Sequence, residues 1–214
     1  MAITDYAELQ TAVANRMNRT DLAALIPEFV AFAEAEFNRV LRLPLQYEGE
    51  AALTVSSRFT DLPADFLEMD RVIWLDGTTR RPMHFVGESS SQWDDDGSDA
   101  SNWPRFFALR GTKIEVLPAP TGSRNLRISY WKKISALAAG VNALFQAHPD
   151  LYLYRACYEA AVYMMDKERM TFYLGLYDRL MTEVIEFENR GERASDITLR
   201  TELQTRGGFN IYTG

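Results

Sequence analysis

Two histidines, one cysteine and a scatter of clustered carboxylates are what this 214-residue chain offers to catalysis. His84 stands between Met83 and Phe85 on an expected strand, and His148 directly precedes Pro149, a proline placed to open a helix. A zinc site would need carboxylates beside these side chains, and no ligand spacing of that kind is present. Cys157 lies among Tyr154, Tyr158 and Ala161 in a helical pattern. A nucleophilic thiol needs an electropositive, partly exposed setting, so a buried, inert thiol is expected. Glu48, Glu50, Asp61 and Asp65 are near enough in sequence to converge as paired acids about 5–9 Å apart, the arrangement glycoside hydrolysis uses. A small muramidase-like hydrolase is therefore the alternative reading. The acidic run Asp94-Asp95-Asp96-Gly97-Ser98-Asp99 fails as a calcium loop. With Gly97 sixth, the first and twelfth ligands would be Gln92 and Trp103. Glycine-rich nucleotide loops and the nucleophile elbow are missing too. No catalytic, cofactor-binding or metal-binding residue is expected.

Net charge narrows the class further. Thirty acidic against 23 basic residues leave −7, which argues against a chain that grips nucleic acid through a basic face. It leaves room for a surface that DNA slides past without sticking. Arg80-Arg81 and Lys132-Lys133 flank expected strands, where cations guard an open sheet edge. Trp74, Trp103, Trp131 and the tyrosines of 152–177 could stack on bases, but core or subunit interface is the better use of them. A single cysteine permits no intrachain disulfide and fits a reducing compartment. The start, Met1-Ala2-Ile3-Thr4-Asp5, has no basic patch followed by an apolar core, so no signal peptide is expected. No apolar stretch approaches the ~18 residues of a membrane span.

The elements that would position these residues are helical at both ends and strand-rich between. Thr4 and Asp5 offer cap oxygens, with Tyr6, Leu9, Val13 and Met17 at helical spacing. A second helix is expected from Leu22, kinked or restarted at Pro27 and stopped by Leu43-Pro44. Between them and the later helices, five or six strands are expected as a small antiparallel sandwich or barrel-like sheet. They include Arg71–Leu75, an Asp76-Gly77 hairpin with a returning strand through Val86, a hairpin around Arg110-Gly111-Thr112, and Asn125–Trp131, which alternates cleanly. Helices resume at Asn142 and at Pro149. The last shows Tyr173, Leu176, Leu180, Val184 and Phe187 on one stripe and should end near Arg190-Gly191. The fold class is α+β: a helical bundle from 1–46 and 140–193, an inserted small antiparallel β domain at 47–139, and a C-terminal extension at 194–214. In that extension Phe209, Ile211 and Tyr212, behind Gly207-Gly208, look like anchors for another surface, with a disordered end as the plain alternative.

Several segments, in order, carry a resemblance: Thr4-Asp5-Tyr6-Ala7-Glu8-Leu9-Gln10, Ile26-Pro27-Glu28-Phe29-Val30 leading into Ala33-Glu34-Ala35-Glu36-Phe37, and Leu62-Pro63-Ala64-Asp65-Phe66-Leu67-Glu68. Phe107-Ala108-Leu109-Arg110-Gly111, Ile114-Glu115-Val116-Leu117-Pro118-Ala119-Pro120 and Pro149-Asp150-Leu151-Tyr152-Leu153-Tyr154 complete the set. The chain resembles the head-to-tail adaptor proteins of tailed bacteriophages, including the tail tubular protein A type of short-tailed phages. The resemblance implies a non-enzymatic structural protein of the virion, assembled in the host cytoplasm. Identical subunits, typically twelve, would form a ring under the portal, joined to a tail or nozzle protein and lining the DNA exit channel. It also implies that the C-terminal extension reaches into the portal; Leu199, Leu203, Phe209, Ile211 and Tyr212 are the expected contact residues there. No membrane or cofactor is implied.

Overall fold

The computed structural model describes residues 3–87, 93 and 104–190. Within them the chain forms two compact units, one of residues 46–134 and one built from 3–45 with 135–190. The chain is α+β.

The helical unit begins with α1, Tyr6–Met17. Asp5 caps it by accepting from the Glu8 amide at 2.8 Å, and the Glu8 carboxylate returns the favour to the amide and hydroxyl of Thr4 at 2.7 Å. Two orphan donors are thereby satisfied at one helix end. Asn18 ends the helix in the left-handed region, at φ 51°, where asparagine is tolerated. Helix α2 spans Ile26–Val40, so the expected start at Leu22 is corrected: residues 21–25 form turns. Pro27 explains the shift, since a residue without an amide hydrogen fits the first helical turn and disrupts the interior.

A short helix, α3 (Ala143–Ala147), is capped by Asn142, which accepts from the Phe145 amide at 2.9 Å. It leads into α4, Pro149–Tyr163, and then α5, Lys167–Glu188, whose cap Asp166 accepts from the Arg169 amide at 3.1 Å. Helix α4 is the centre of the unit and packs against the other four. Its small residues Ala156, Ala160 and Ala161 are fully buried and let neighbours approach closely. Phe37 meets Tyr152 edge-on at 4.9 Å, and Phe29 meets Tyr163 at 5.8 Å, so α2 runs antiparallel to α4. The buried stripe of α5 is Tyr173, Tyr177, Met181 and Val184. Phe187, expected on that stripe, is exposed; the burial follows the phase of Tyr177 and Met181 and leaves position 187 turned outward.

The other unit packs two four-stranded sheets around one core. The first has β1 (Tyr47–Val55), β8 (Arg124–Lys132), β3 (Phe66–Asp76) and β4 (Thr79–Pro82) side by side in that order, all antiparallel. The second has β2 (Phe59–Asp61), β7 (Lys113–Leu117), β6 (Phe106–Arg110) and β5 (His84–Phe85). Val55, Val72, Trp74, Leu126, Ile128 and Tyr130 from the first sheet meet Phe107, Ile114 and Val116 from the second.

The antiparallel expectation needs one correction, because β5 and β6 are parallel. The strand returning from the Gly77 turn does not run on to Val86. It ends at Pro82, with one further bond from the Met83 amide to the Val72 carbonyl at 2.9 Å. The chain then crosses over, the His84 amide bonding to the Arg105 carbonyl and the Val86 amide to the Phe107 carbonyl, both at 2.9 Å. Among the described residues there are eight strands, since β2 and β5 are too short for alternation to reveal them. Gly77 and Gly111 both sit at φ 60° and close two-residue hairpin loops.

Candidate functional site

Each carboxylate that could have joined a catalytic pair is engaged elsewhere. Glu48 receives Lys132 Nζ at 2.9 Å, and Glu50 receives the Arg80 guanidinium. Asp61 lies 3.5 Å from Lys113 Nζ, and Asp65 accepts from the Tyr130 hydroxyl at 3.0 Å. Arg80, with Arg127 and Arg71 more distant, holds Glu50 below the usual carboxylate range. Such a group is ionised and cannot serve as a general acid near neutrality. Burial raises the Tyr130 phenol to about 12, with Asp65 adding to the effect.

The other chemical candidates are placed as follows. His84 is exposed on β5. His148 sits at the start of α4 with Nε2 3.1 Å from Glu188 Oε1, which ties that end to the end of α5. Cys157 is fully buried, and burial pushes its thiol up to about 12; it cannot supply thiolate near neutral pH. Among the described residues no three His, Cys, Asp or Glu side chains come together as metal ligands. Trp74 is core, and Tyr152 is wholly enclosed. Arg80 and Arg81 do lie on an edge strand, β4. Lys132 does not: β8 is an inner strand, and the lysine there is paired across to Glu48. Trp103 and the acidic run 94–99 lie outside the described residues, as do Leu199, Leu203, Phe209, Ile211 and Tyr212.

Two ionic clusters were not legible in the sequence. On β7, Glu115 is 2% exposed and receives Arg58 Nε at 2.7 Å and Arg110 Nε at 2.8 Å. Burial pulls its carboxyl up, but the bonds from Arg110 and Arg58 outweigh that and hold it below its ordinary value. Trp93 covers the Arg110 guanidinium at 5.7 Å and anchors itself through Nε1 to the Gly87 carbonyl at 3.0 Å. In the helical unit, Arg155 of α4 bridges Glu36 at 2.6 Å and Glu159 at 2.5 Å. Arg155 and Glu159 stand at i,i+4 on one helix, and the third member comes from α2. Both clusters tie elements together and leave no free acid beside a free base.

Open space in the described residues is also poor in chemistry. A depression of about 300 Å³ in the sheet unit is lined by Leu62, Pro63, Phe66, Leu67, Gly111 and Lys133 among others. A shallower one of about 500 Å³ runs along α1 past Asp5 and Glu8, both already committed to the helix start.

Exposed apolar side chains are the more informative surface. Around the turn from α4 to α5, Val162, Tyr163 and Met165 face solvent, Met165 with 87% of its surface, and Phe172 follows on α5 at 60%. Phe32 is half exposed on α2, one turn from Phe29, whose ring touches Tyr163. Clustered apolar groups on a chain surface mark protein contacts. Among the described residues no helix is long and apolar enough to cross a membrane.

A family model described as SU10 adaptor protein covers residues 4–201. No curated protein matches the chain.

Proposed function

Since the chain belongs to the SU10 adaptor protein family, we propose that it is a structural joint in the neck of a tailed-phage particle. Identical subunits, typically twelve, form a ring beneath the portal. The ring meets a portal on one side and a tail or nozzle protein on the other, and the genome leaves through its centre. The family match over 4–201 carries this reading. The exposed apolar groups at the α4–α5 turn support it, since a subunit contacting unlike neighbours needs apolar surface outside its own core. A ring closes only when two different surfaces of one subunit meet at a fixed rotation. The acidic balance of the chain suits a passage that must not hold DNA.

In this reading residues 1–46 and 140–193 are the bundle domain, 47–139 the β domain, and 194–214 the portal-binding extension, with Leu199, Leu203, Phe209, Ile211 and Tyr212 as its contacts. A segment that orders on binding adds contact area without enlarging the globular core. The test is deletion of 194–214, followed by mixing with purified portal rings and imaging by electron microscopy. The shortened chain should keep its circular dichroism spectrum and lose portal binding. Undiminished docking overturns the role of the extension. Failure of the full chain to dock on any candidate portal overturns the adaptor reading itself.

A further inference from the structure

Among the described residues the sheet unit has four strand edges, and three of them are guarded. β4 carries Arg80, Arg81 and Pro82, while β2 has three residues and β5 only two. Short strands, cations and proline keep an edge from pairing with another chain. The fourth edge, β1, spans nine residues and pairs only with β8 among the described residues. Its first half is interrupted, because the register shifts between Glu48 and Ala51 and Glu50 sits at φ 65°. From there on the register is regular, and Ala51-Ala52-Leu53-Thr54-Val55 holds no charge, glycine or proline. Every second residue of such an edge turns its amide and carbonyl away from β8.

The core is open along the same edge. Val55 is fully buried in it, but Ala51 and Leu53, which face the same way, are only half-buried. Ala52 and Thr54 alternate with them and are exposed. A strand laid beside β1 would need apolar groups at alternate positions on the core side and polar ones between. One stretch outside the described residues has that pattern. Ile197, Leu199 and Leu203 alternate with Thr198, Arg200 and Glu202, Thr201 is β-branched, and no glycine or proline falls between Glu192 and Arg206. Residues 94–103, also outside, are rich in Asp and Ser and do not alternate.

We propose that residues 197–203 of one copy add as a fifth strand to the first sheet of the next, along Ala51–Val55 of β1. The idea rests on the ring reading and names a contact within it. An edge and a segment are unlike surfaces on one chain, the heterologous pattern that closes into a ring, whereas β1 against a second β1 would close at two copies. Backbone bonds hold such an added strand, and its alternate side chains select it. Leu199 and Leu203 thereby pass from the portal to the neighbour, while Phe209, Ile211 and Tyr212 stay with the portal. Six residues separate Arg190 from Ile197, so the neighbour's β1 comes within about 25 Å of the end of α5.

Disulfide trapping in the full-length chain tests this, both alone at high concentration and bound to purified portal rings. Cys157 is fully buried and does not compete. A chain with Ala52→Cys is mixed with chains carrying one new cysteine at each position from 198 to 202, then oxidised. Linkage should peak at one of Thr198→Cys, Arg200→Cys and Glu202→Cys and drop about tenfold at Leu199→Cys and Thr201→Cys, because alternate residues share the face of Ala52. Thr198→Pro with Thr201→Pro removes two donors, one of which must face β1, and should weaken self-association about tenfold. Phe209→Ala with Tyr212→Ala should leave self-association unchanged and weaken portal docking. Even linkage at all five positions, or none in a preparation that forms rings, overturns this contact and leaves the ring standing. Linkage only within a chain carrying both cysteines, or of Ala52→Cys to its own copies, also ends the proposal. A chain that stays monomeric both alone and with portal rings overturns the contact and the ring together.

Discussion

The hydroxyl of Tyr177 donates to Oε1 of Glu36 at 3.0 Å, joining α5 to α2 across 141 residues of sequence. Arg155 of α4 reaches the other oxygen of the same carboxylate at 2.6 Å, and its guanidinium lies 5.3 Å from the centre of the Tyr177 ring. Three helices thus meet at one phenol, one carboxylate and one cation. Tyr177→Phe removes a donor but leaves Glu36 its arginine, so stability should drop by about 1 kcal/mol. Arg155→Met strands two carboxylates, and the loss should be about 3 kcal/mol. Urea unfolding of both variants checks the ranking; equal losses would show that the cation adds nothing to the cluster.

Glu115 should make the sheet unit acid-sensitive. Its folded value lies below the ordinary one because Arg110 and Arg58 overcome the effect of burial. A depressed carboxyl contributes stability that is fully present above its unfolded value, about 4.3, and is lost as pH falls through the folded value. Glu115→Gln should cost about 2 kcal/mol at neutral pH. The gap between variant and parent should narrow below about pH 4, as read from urea midpoints over a pH series. A constant gap would mean that the carboxylate charge is immaterial.

Alkali should unfold the protein for the opposite reason. Burial raises the phenols of Tyr130, Tyr152 and Tyr177, so they stay neutral in the fold and ionise near pH 10 once exposed. Their contribution is whole below about pH 10 and is lost as pH climbs through the folded values. Thermal melts should fall steeply above that point, with phenolate absorbance appearing together with unfolding. Ionisation of all tyrosines before any loss of helix would contradict this.

Cys157 should be silent in the native state. Its thiol is fully buried and pushed up to about 12. Thiol reagents at neutral pH should react at the rate of unfolding and reach one equivalent in denaturant. Fast labelling of folded protein would show that the α4 environment opens to solvent.

Gly111 carries a smaller prediction. At φ 60° it has open space around a would-be Cβ, so Gly111→Ala meets only backbone strain. The loss should be about 1 kcal/mol, and Gly111→Asn should lose less. Denaturant midpoints of the two variants decide it.

What the sequence determined by itself is what acts within a few residues. Asp5 and Asn142 announce helix starts because a cap oxygen reaches only the amides two or three positions on. Pro149 suits a first turn, and Gly77 and Gly111 suit left-handed turns, through the same short-range sterics. Alternation along 125–131 shows which side chains enter the core because the strand repeat is two. The α+β class follows from these local signals.

Tertiary structure decided what depends on partners far along the chain. No local rule places Arg58 and Arg110 on Glu115, Tyr177 on Glu36, or Arg80 on Glu50; packing brings them within reach, and ion pairing follows. Crossover of β5 to the second sheet was equally hidden, since a two-residue strand has no period to read. Burial selects among several locally adequate pairings, and it is a property of the whole packed chain.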